Sequence, residues 1–232
     1  MRGESANIFD AEAERYDAWF DSPKGRVLFE NEFAAIRLLW RDDFHPALEV
    51  GVGTGRFAQT LGVEFGIDPA AGALRLAERR GIQVKQARGE ALPFPDAMFG
   101  GVLMVATLCF ADDAPALMRE AGRVLRPNGH LLIGDIPTDS PWGEHYLRKK
   151  AEGDPFYRDA HFFTVAELTK MLREAGLTVE GVSSTLRQPP ETTARTEAPQ
   201  LGAAKEASFV CLLACQCPSS QRTSLPRSST TD

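Results

Sequence analysis

Glu49-Val50-Gly51-Val52-Gly53-Thr54-Gly55 is the stretch of this 232-residue chain whose residue types and spacing bear most directly on chemistry. Glycines placed between an apolar run (47–50) and a helix-forming run (56–61) let the backbone take positive φ and approach a ligand closely. The helix that follows offers free N–H groups and the positive end of its dipole, which suits a carboxylate or a phosphate. A plain tight turn is the competing account. A dinucleotide fingerprint needs glycine at 51, 53 and 56. Position 56 is Arg56, and the third glycine comes one residue early, at Gly55, so the spacing disfavours a nicotinamide dinucleotide. Asp68 closes the next apolar run, at about the downstream distance where an acid meets a ribose diol. Its carboxylate can accept two hydrogen bonds. Asp68 also precedes Pro69, where a helix N-cap belongs, and the two roles are compatible.

These residues need a scaffold that sets strand ends beside helix starts. Residues 47–50, 63–67, 82–86, 99–105 and 130–136 read as strands, the fourth almost wholly apolar, as in a strand covered on both faces. Residues 56–61, 70–80 and 114–125 read as helices between them, the last closed by Pro127-Asn128-Gly129. That alternation predicts an α/β fold with a parallel sheet and right-handed crossovers. A helix over 165–175, a strand over 177–183 and a final strand over 207–215 follow. Two helices precede the first strand, divided at Ser22-Pro23-Lys24-Gly25. Residues 137–161 read as an irregular insertion rich in aromatic residues and His, and 218–232 as a Ser/Thr-rich disordered tail. The expectation is a single domain over 7–217.

Hydrophobic residues make up 43% of the chain and charged residues 25%, which excludes a wholly disordered or a fibrous chain. No apolar run nears the roughly 20 residues of a membrane span, and the first residues carry no signal-peptide core. Four cysteines are too few for a disulfide scaffold, so a cytoplasmic protein with reduced thiols is expected. Cys211, Cys215 and Cys217 lack the paired spacing of a zinc site, and no metal is expected. The net charge of −6 argues against a general nucleic-acid binder.

Four motifs stand in order: Glu49 to Gly55, Gly66-Ile67-Asp68-Pro69, Ala91-Leu92-Pro93-Phe94-Pro95-Asp96, and Arg123-Val124-Leu125-Arg126-Pro127-Asn128-Gly129. Together they resemble the class I S-adenosylmethionine-dependent methyltransferases, closest to the small single-domain ubiquinone/menaquinone-biosynthesis-like kind. The resemblance covers about residues 9–215. It implies a Rossmann-like doubly wound sheet of seven strands, mostly parallel with an antiparallel last strand. It implies S-adenosylmethionine as cofactor and a small-molecule acceptor, with no nucleic-acid or membrane partner. By the same likeness Glu49, Gly51, Gly53, Thr54 and Gly55 hold the methionine end. Asp68, with Pro69 beside it, takes the ribose hydroxyls, and Gly89, Glu90, Ala91 and Leu92 border the adenine. Thr107 faces the methyl group at a corner with Cys109 and Phe110. Two departures stand out. Arg88 occupies the place of an adenine-binding acid, which leaves adenine to backbone groups and to apolar packing such as Leu92. Gly100 replaces the usual Asp after Phe99 and reads as a lost turn or capping contact.

Methyl transfer asks little of the protein beyond holding nucleophile and methyl carbon about 3–3.5 Å apart in line, so no catalytic residue follows from the likeness. Three candidates remain. Tyr16, in the N-terminal helices that cover the cofactor in similar enzymes, could set an aromatic face on the sulfonium, or be a core residue. His145 and His161 lie in the 137–163 insertion, expected to close over the cofactor and build the acceptor pocket. Either could be a base, or an ordinary polar residue. A cofactor-binding module without turnover is the alternative function.

Overall fold

The computed structural model describes residues 4–192 and 195–216. Cys217 and the expected tail lie outside them. The chain starts with three helices, α1 (Glu4–Ala11), α2 (Ala13–Trp19) and α3 (Pro23–Leu39), one more than expected, because the first segment breaks at Glu12. Ser22 does divide the region. Its hydroxyl caps α3 by accepting from the Gly25 N–H at 3.1 Å, with Pro23 in the first turn.

The sheet follows as β1 (Ala47–Val50), β2 (Phe65–Asp68), β3 (Gln83–Gln86), β4 (Phe99–Val105), β5 (Leu125–Asp135), β6 (Leu177–Thr185), β7 (Gln200–Leu201) and β8 (Phe209–Gln216). The strand order is β3-β2-β1-β4-β5-β8-β6-β7. The pairs β2–β3, β1–β2, β1–β4 and β4–β5 are parallel. β8 runs antiparallel between β5 and β6. The fold is the expected Rossmann-like α/β sheet, mostly parallel with antiparallel strands at its C-terminal side. The two-residue β7 adds an eighth strand at the β6 edge. The motif Pro127-Asn128-Gly129 closes no helix. It lies within β5 where the β4–β5 register shifts, so the strand begins at Leu125.

Helices α4 (Arg56–Leu61), α5 (Ala71–Arg79), α6 (Ala114–Val124) and α8 (Val165–Glu174) stand where the apolar spacing puts them. Successive residues of β4 point to opposite faces. Val102 and Met104 join the core under α6 and α8 with Leu117, Met118 and Leu172. Leu103 and Val105 join the core under α3 with Leu28, Ile36 and Leu39. A sheet covered on both faces directs its ligand chemistry to the carboxyl ends of its strands.

The insertion contains a helix, α7 (Pro141–Ala151), where an irregular segment was expected. The Ser140 hydroxyl caps it by accepting from the Gly143 N–H at 3.0 Å, Pro141 opens it, and Arg148, Lys149 and Lys150 stand at the negative end of its dipole. Trp142 anchors it, buried to 2% exposure and donating from Nε1 to the Gln188 carbonyl at 3.1 Å. Gly100 also has a definite reason. A Cβ there would lie 2.8 Å from the Phe44 carbonyl oxygen and 2.6 Å from the Arg126 guanidinium, so the side chain is absent because the 42–44 turn packs against β4 at that point.

Candidate cofactor and acceptor cleft

A cleft with about 1300 Å³ of empty space, open solvent at its mouth included, lies over the ends of β1, β2 and β4. The β1–α4 loop forms its floor. Gly51, Gly53 and Gly55 take φ of 72°, 51° and 84°, in the left-handed region that favours glycine. The N–H groups of Gly51 and Val52 both donate to the Ile67 carbonyl, at 2.8 and 2.9 Å, which ties the loop to β2. A Cβ on Gly53 would have no protein atom within 4 Å. That face of the loop opens on the cleft.

Three acids belong to this floor. Glu49, at 2% exposure, leaves its Oε2 buried without a hydrogen-bond partner. Burial pushes its pKa well up and the charge of Asp68 adds to the rise, while the Ala58 N–H offsets part of it. Asp68 accepts from the Gly53 N–H at 3.0 Å through Oδ2 and from the Ala70 N–H at 2.8 Å through Oδ1. Burial raises its pKa too, against those two donors. Each Asp68 oxygen keeps a lone pair for a further donor. Glu90 is committed elsewhere: its Oε1 accepts from the N–H groups of Asp112 and Asp113, at 2.8 and 3.3 Å.

The roof is α1 and α2. Phe9, Ala13, Tyr16 and Phe20 line the cleft from above. Their rings interlock, with centroids 5.4 Å apart for both Phe9–Tyr16 and Tyr16–Phe20. Asp17 fastens α2 to the floor. Its carboxylate accepts from Thr54 Oγ1 at 2.7 Å, from Arg56 at 2.8 and 3.0 Å and from Arg80 at 3.0 and 2.9 Å. Burial raises its pKa, but the hydrogen bonds from Arg56, Thr54 and Arg80 and the charge of Arg80 outweigh that and hold it at about 2. Arg56, the residue that breaks the dinucleotide spacing, is therefore half of a latch.

Of the residues expected around a cofactor, Tyr16, Glu49, Gly51, Gly53, Thr54, Asp68, Pro69, Gly89, Glu90 and Thr107 line this one cleft. Gly55, Ala91 and Leu92 do not. A Cβ on Gly55 would meet Ile82 and Ala77, so its face is turned to the core. Leu92 is buried in the core under β4, and its N–H donates to Glu120 at 2.8 Å. The apolar wall near Gly89 is made by Ala111 and Leu117 instead. Arg88 lines the cleft with its guanidinium 2.5 Å from Asp112 and 3.6 Å from Glu90.

No residue of 137–163 is among those lining the cleft. The insertion backs the roof from behind, through Phe156 against Phe9 at 5.3 Å and against Tyr16 at 6.2 Å. His145 packs on Trp142 and Tyr146, its pKa lowered by burial and by Lys149 and Arg148. His161 is tied to the corner after β4, its N–H donating to the Cys109 carbonyl at 2.7 Å and its ring packed against Phe163. Because neither histidine lines the cleft, His145→Ala and His161→Ala are each expected to leave cofactor affinity and methyl-transfer rate within about threefold of wild type. Loss of transfer in either variant at unchanged melting temperature would return that His to the site.

Spacing around the glycine loop missed Glu32. This residue lines the cleft from α3, and the sequence did carry a signal for it. Leu28, Ala35, Ile36 and Leu39 form the buried stripe of α3, and an acid at i+4 from Leu28 and i−4 from Ile36 falls on that stripe.

Comparison with known proteins agrees with this geometry. A methyltransferase domain family matches residues 48–133. An uncharacterized protein of Mycobacterium tuberculosis is 50% identical over 190 residues, 82% of this chain, and the chain spans 66% of that relative's length. A demethylmenaquinone methyltransferase of Tropheryma whipplei is 30% identical over 148 residues, 60% of this chain and 57% of its own. A crystal structure from Thermotoga maritima, described as a SAM-dependent methyltransferase and possible histamine N-methyltransferase, superposes with a TM-score of 0.84 at 32% identity. That match covers 91% of this chain and 99% of the other. Among the described residues no helix is long and apolar enough to cross a membrane.

Proposed function

The chain belongs to the class I S-adenosylmethionine-dependent methyltransferase domain family, and from that premise we propose that it transfers a methyl group from S-adenosylmethionine to a small-molecule acceptor. The observation that carries the reading is the orphaned Glu49 Oε2 beside a glycine loop that opens on empty space. A buried carboxylate oxygen without a donor is costly. The ammonium of the cofactor's methionine end would supply that donor. Asp68 would take the ribose hydroxyls with its free lone pairs, and Ala111, Leu117 and Gly89 would bound the adenine. When bound, the cofactor supplies an activated methyl carbon.

The protein's own part is to hold and to exclude. The loop amides and Asp68 fix the donor end. Phe9, Tyr16 and Phe20 close the roof and keep water from the reacting atoms. Arg88 gives less support to a non-catalytic module than its sequence position suggests, since Asp112 and Glu90 draw it into ion pairs at the cleft wall. The narrower likeness to quinone-biosynthesis enzymes rests on the distant Tropheryma relative and supports the domain type more than any acceptor.

Calorimetric titration tests the cofactor. Heat saturating at one equivalent is expected with S-adenosylmethionine and with S-adenosylhomocysteine, and none with NAD. Binding of NAD without response to the sulfonium compound would overturn the reading.

A further inference from the structure

Once the cofactor's ammonium is matched to Glu49 and its ribose hydroxyls to Asp68, one acid of the cleft is left over. Glu32 reaches the cleft from α3 and has no hydrogen bond or ion pair among the described residues. The cations at the cleft are already engaged: Arg56 with Asp17 and Asp21, Arg88 with Asp112 and Glu90. Glu90 itself is held by two backbone N–H groups. The cleft that Glu32 lines is aromatic, with Phe9, Tyr16, Phe20 and Phe57 in its wall, and Tyr16 is close enough to feel the charge of Glu32. Ring faces and a carboxylate are the combination that recognises an organic cation.

Resting on the methyltransferase reading, we propose that Glu32 is the acceptor-binding acid of this cleft, and that the acceptor is a small amine carrying an apolar or aromatic group. The ammonium binds to the Glu32 carboxylate and gives it one N–H proton. The neutral amine is left with the lone pair that forms the new N–C bond, while the electron pair of the breaking C–S bond stays on sulfur. The proton then passes from Glu32 to solvent. A phenol or a thiol gains nothing from this arrangement before it ionises, whereas an amine is already cationic in water and pairs with Glu32 as soon as the acid's own proton has left.

The acid's setting gives the proposal a signature. Part of Glu32 remains accessible because it lines the cleft, but the surrounding protein excludes bulk water and burial pushes its pKa up to about 8. The titratable groups facing it are Tyr16 from α2, Tyr146 from α7 and Cys211 from β8. Burial raises all three, the Cys211 thiol to about 12, so they stay neutral where Glu32 titrates. At pH 7 the free protein therefore holds a proton on Glu32. Capturing an ammonium expels that proton, about one per amine bound at pH 7, and about none at pH 9.5, where Glu32 is already ionised.

The test is calorimetry on the full chain saturated with S-adenosylhomocysteine, titrated with 2-phenylethylamine, 2-phenylethanol and 3-phenylpropionate in buffers of different ionisation enthalpy. The amine is expected to bind at least tenfold more tightly than the alcohol and the carboxylate, releasing close to one proton at pH 7. In Glu32→Gln the tenfold preference and the proton release should both vanish. That variant replaces a desolvated acid by a neutral group of the same shape, so it should keep its melting temperature and its S-adenosylhomocysteine affinity. Equal binding of all three probes to the wild type, or amine preference surviving in Glu32→Gln, would overturn the proposal while leaving the cofactor reading intact. Failure of S-adenosylhomocysteine to bind would overturn both.

Discussion

Gly53→Val is expected to fold and to lose S-adenosylhomocysteine binding by at least about a hundredfold, more than 2.7 kcal/mol at room temperature. Two effects act together, and a control separates them. The first is local strain: Gly53 sits at φ 51°, where a β-branched residue costs roughly 1–2 kcal/mol. The second is occupancy. A Cβ at Gly53 meets no protein atom within 4 Å, so the side chain stands in the space the ligand needs. Gly81, in the turn after α5, has φ 88° and the same open surroundings, but it does not line the cleft. Gly81→Val therefore carries comparable strain without the occupancy, and should lower the melting temperature and spare the affinity. Asp68→Ala should fall between the two, weakening binding by about 1.5–3 kcal/mol, the scale of lost hydrogen bonds to a charged acceptor. It also strips the Gly53 and Ala70 amides of their acceptor. Wild-type affinity in Gly53→Val with the fold intact would place the ligand elsewhere.

The parts of this site that were legible in sequence are those held by local chemistry. Glycines between an apolar strand and a helix, and an acid at the next strand end, announce themselves within some twenty residues, and Gly51, Gly53 and Asp68 all line the one cleft. The elements that were misread depend on distant partners. The signals for α7 are its cap and its basic last turn, whereas Trp142, Tyr146, Leu147 and Ala151 are its few apolar residues besides Pro141. What anchors it is a hydrogen bond from Trp142 to Gln188, 46 residues away. His145 and His161 looked like roof residues because the insertion follows a strand end. The space over the cleft is instead taken by α1 and α2, whose docking rests on contacts across the chain. Glu32 shows the same limit from the other side: its helical register is readable, but that its stripe faces a ligand cleft is a tertiary fact.

Asp17→Ala is expected to release the roof. The Asp17 carboxylate joins Thr54, Arg56 and Arg80, residues 37 to 63 positions away in sequence, to the helix that carries Tyr16. Its side chain is 15% exposed, and those of Arg56 and Arg80 are each 19% exposed. Removing one member of a fully buried ion pair costs about 3–5 kcal/mol. Partial exposure and screening reduce that here to an expected loss of about 2–4 kcal/mol. Arg56 keeps a partner in the more exposed Asp21, and Arg80 keeps the Thr54 carbonyl at 2.7 Å, so the damage should be local to α2 and not global. A roof that opens more often lets ligand leave, so S-adenosylhomocysteine should dissociate at least tenfold faster while its association rate changes little. The pH dependence has a definite sign. The folded pKa of Asp17, about 2, lies below its ordinary value near 3.8. The latch therefore contributes its full stability above pH 4 and loses it as pH falls toward 2. Calorimetric melting between pH 2 and 5 should show wild type converging on Asp17→Ala at the acid end and separating from it above pH 4. Stopped-flow dissociation at pH 7 gives the kinetic half of the test. Equal melting curves and equal dissociation rates would mean that Phe9, Tyr16 and Phe20 hold the roof by ring packing alone, and that the charges beneath it are incidental.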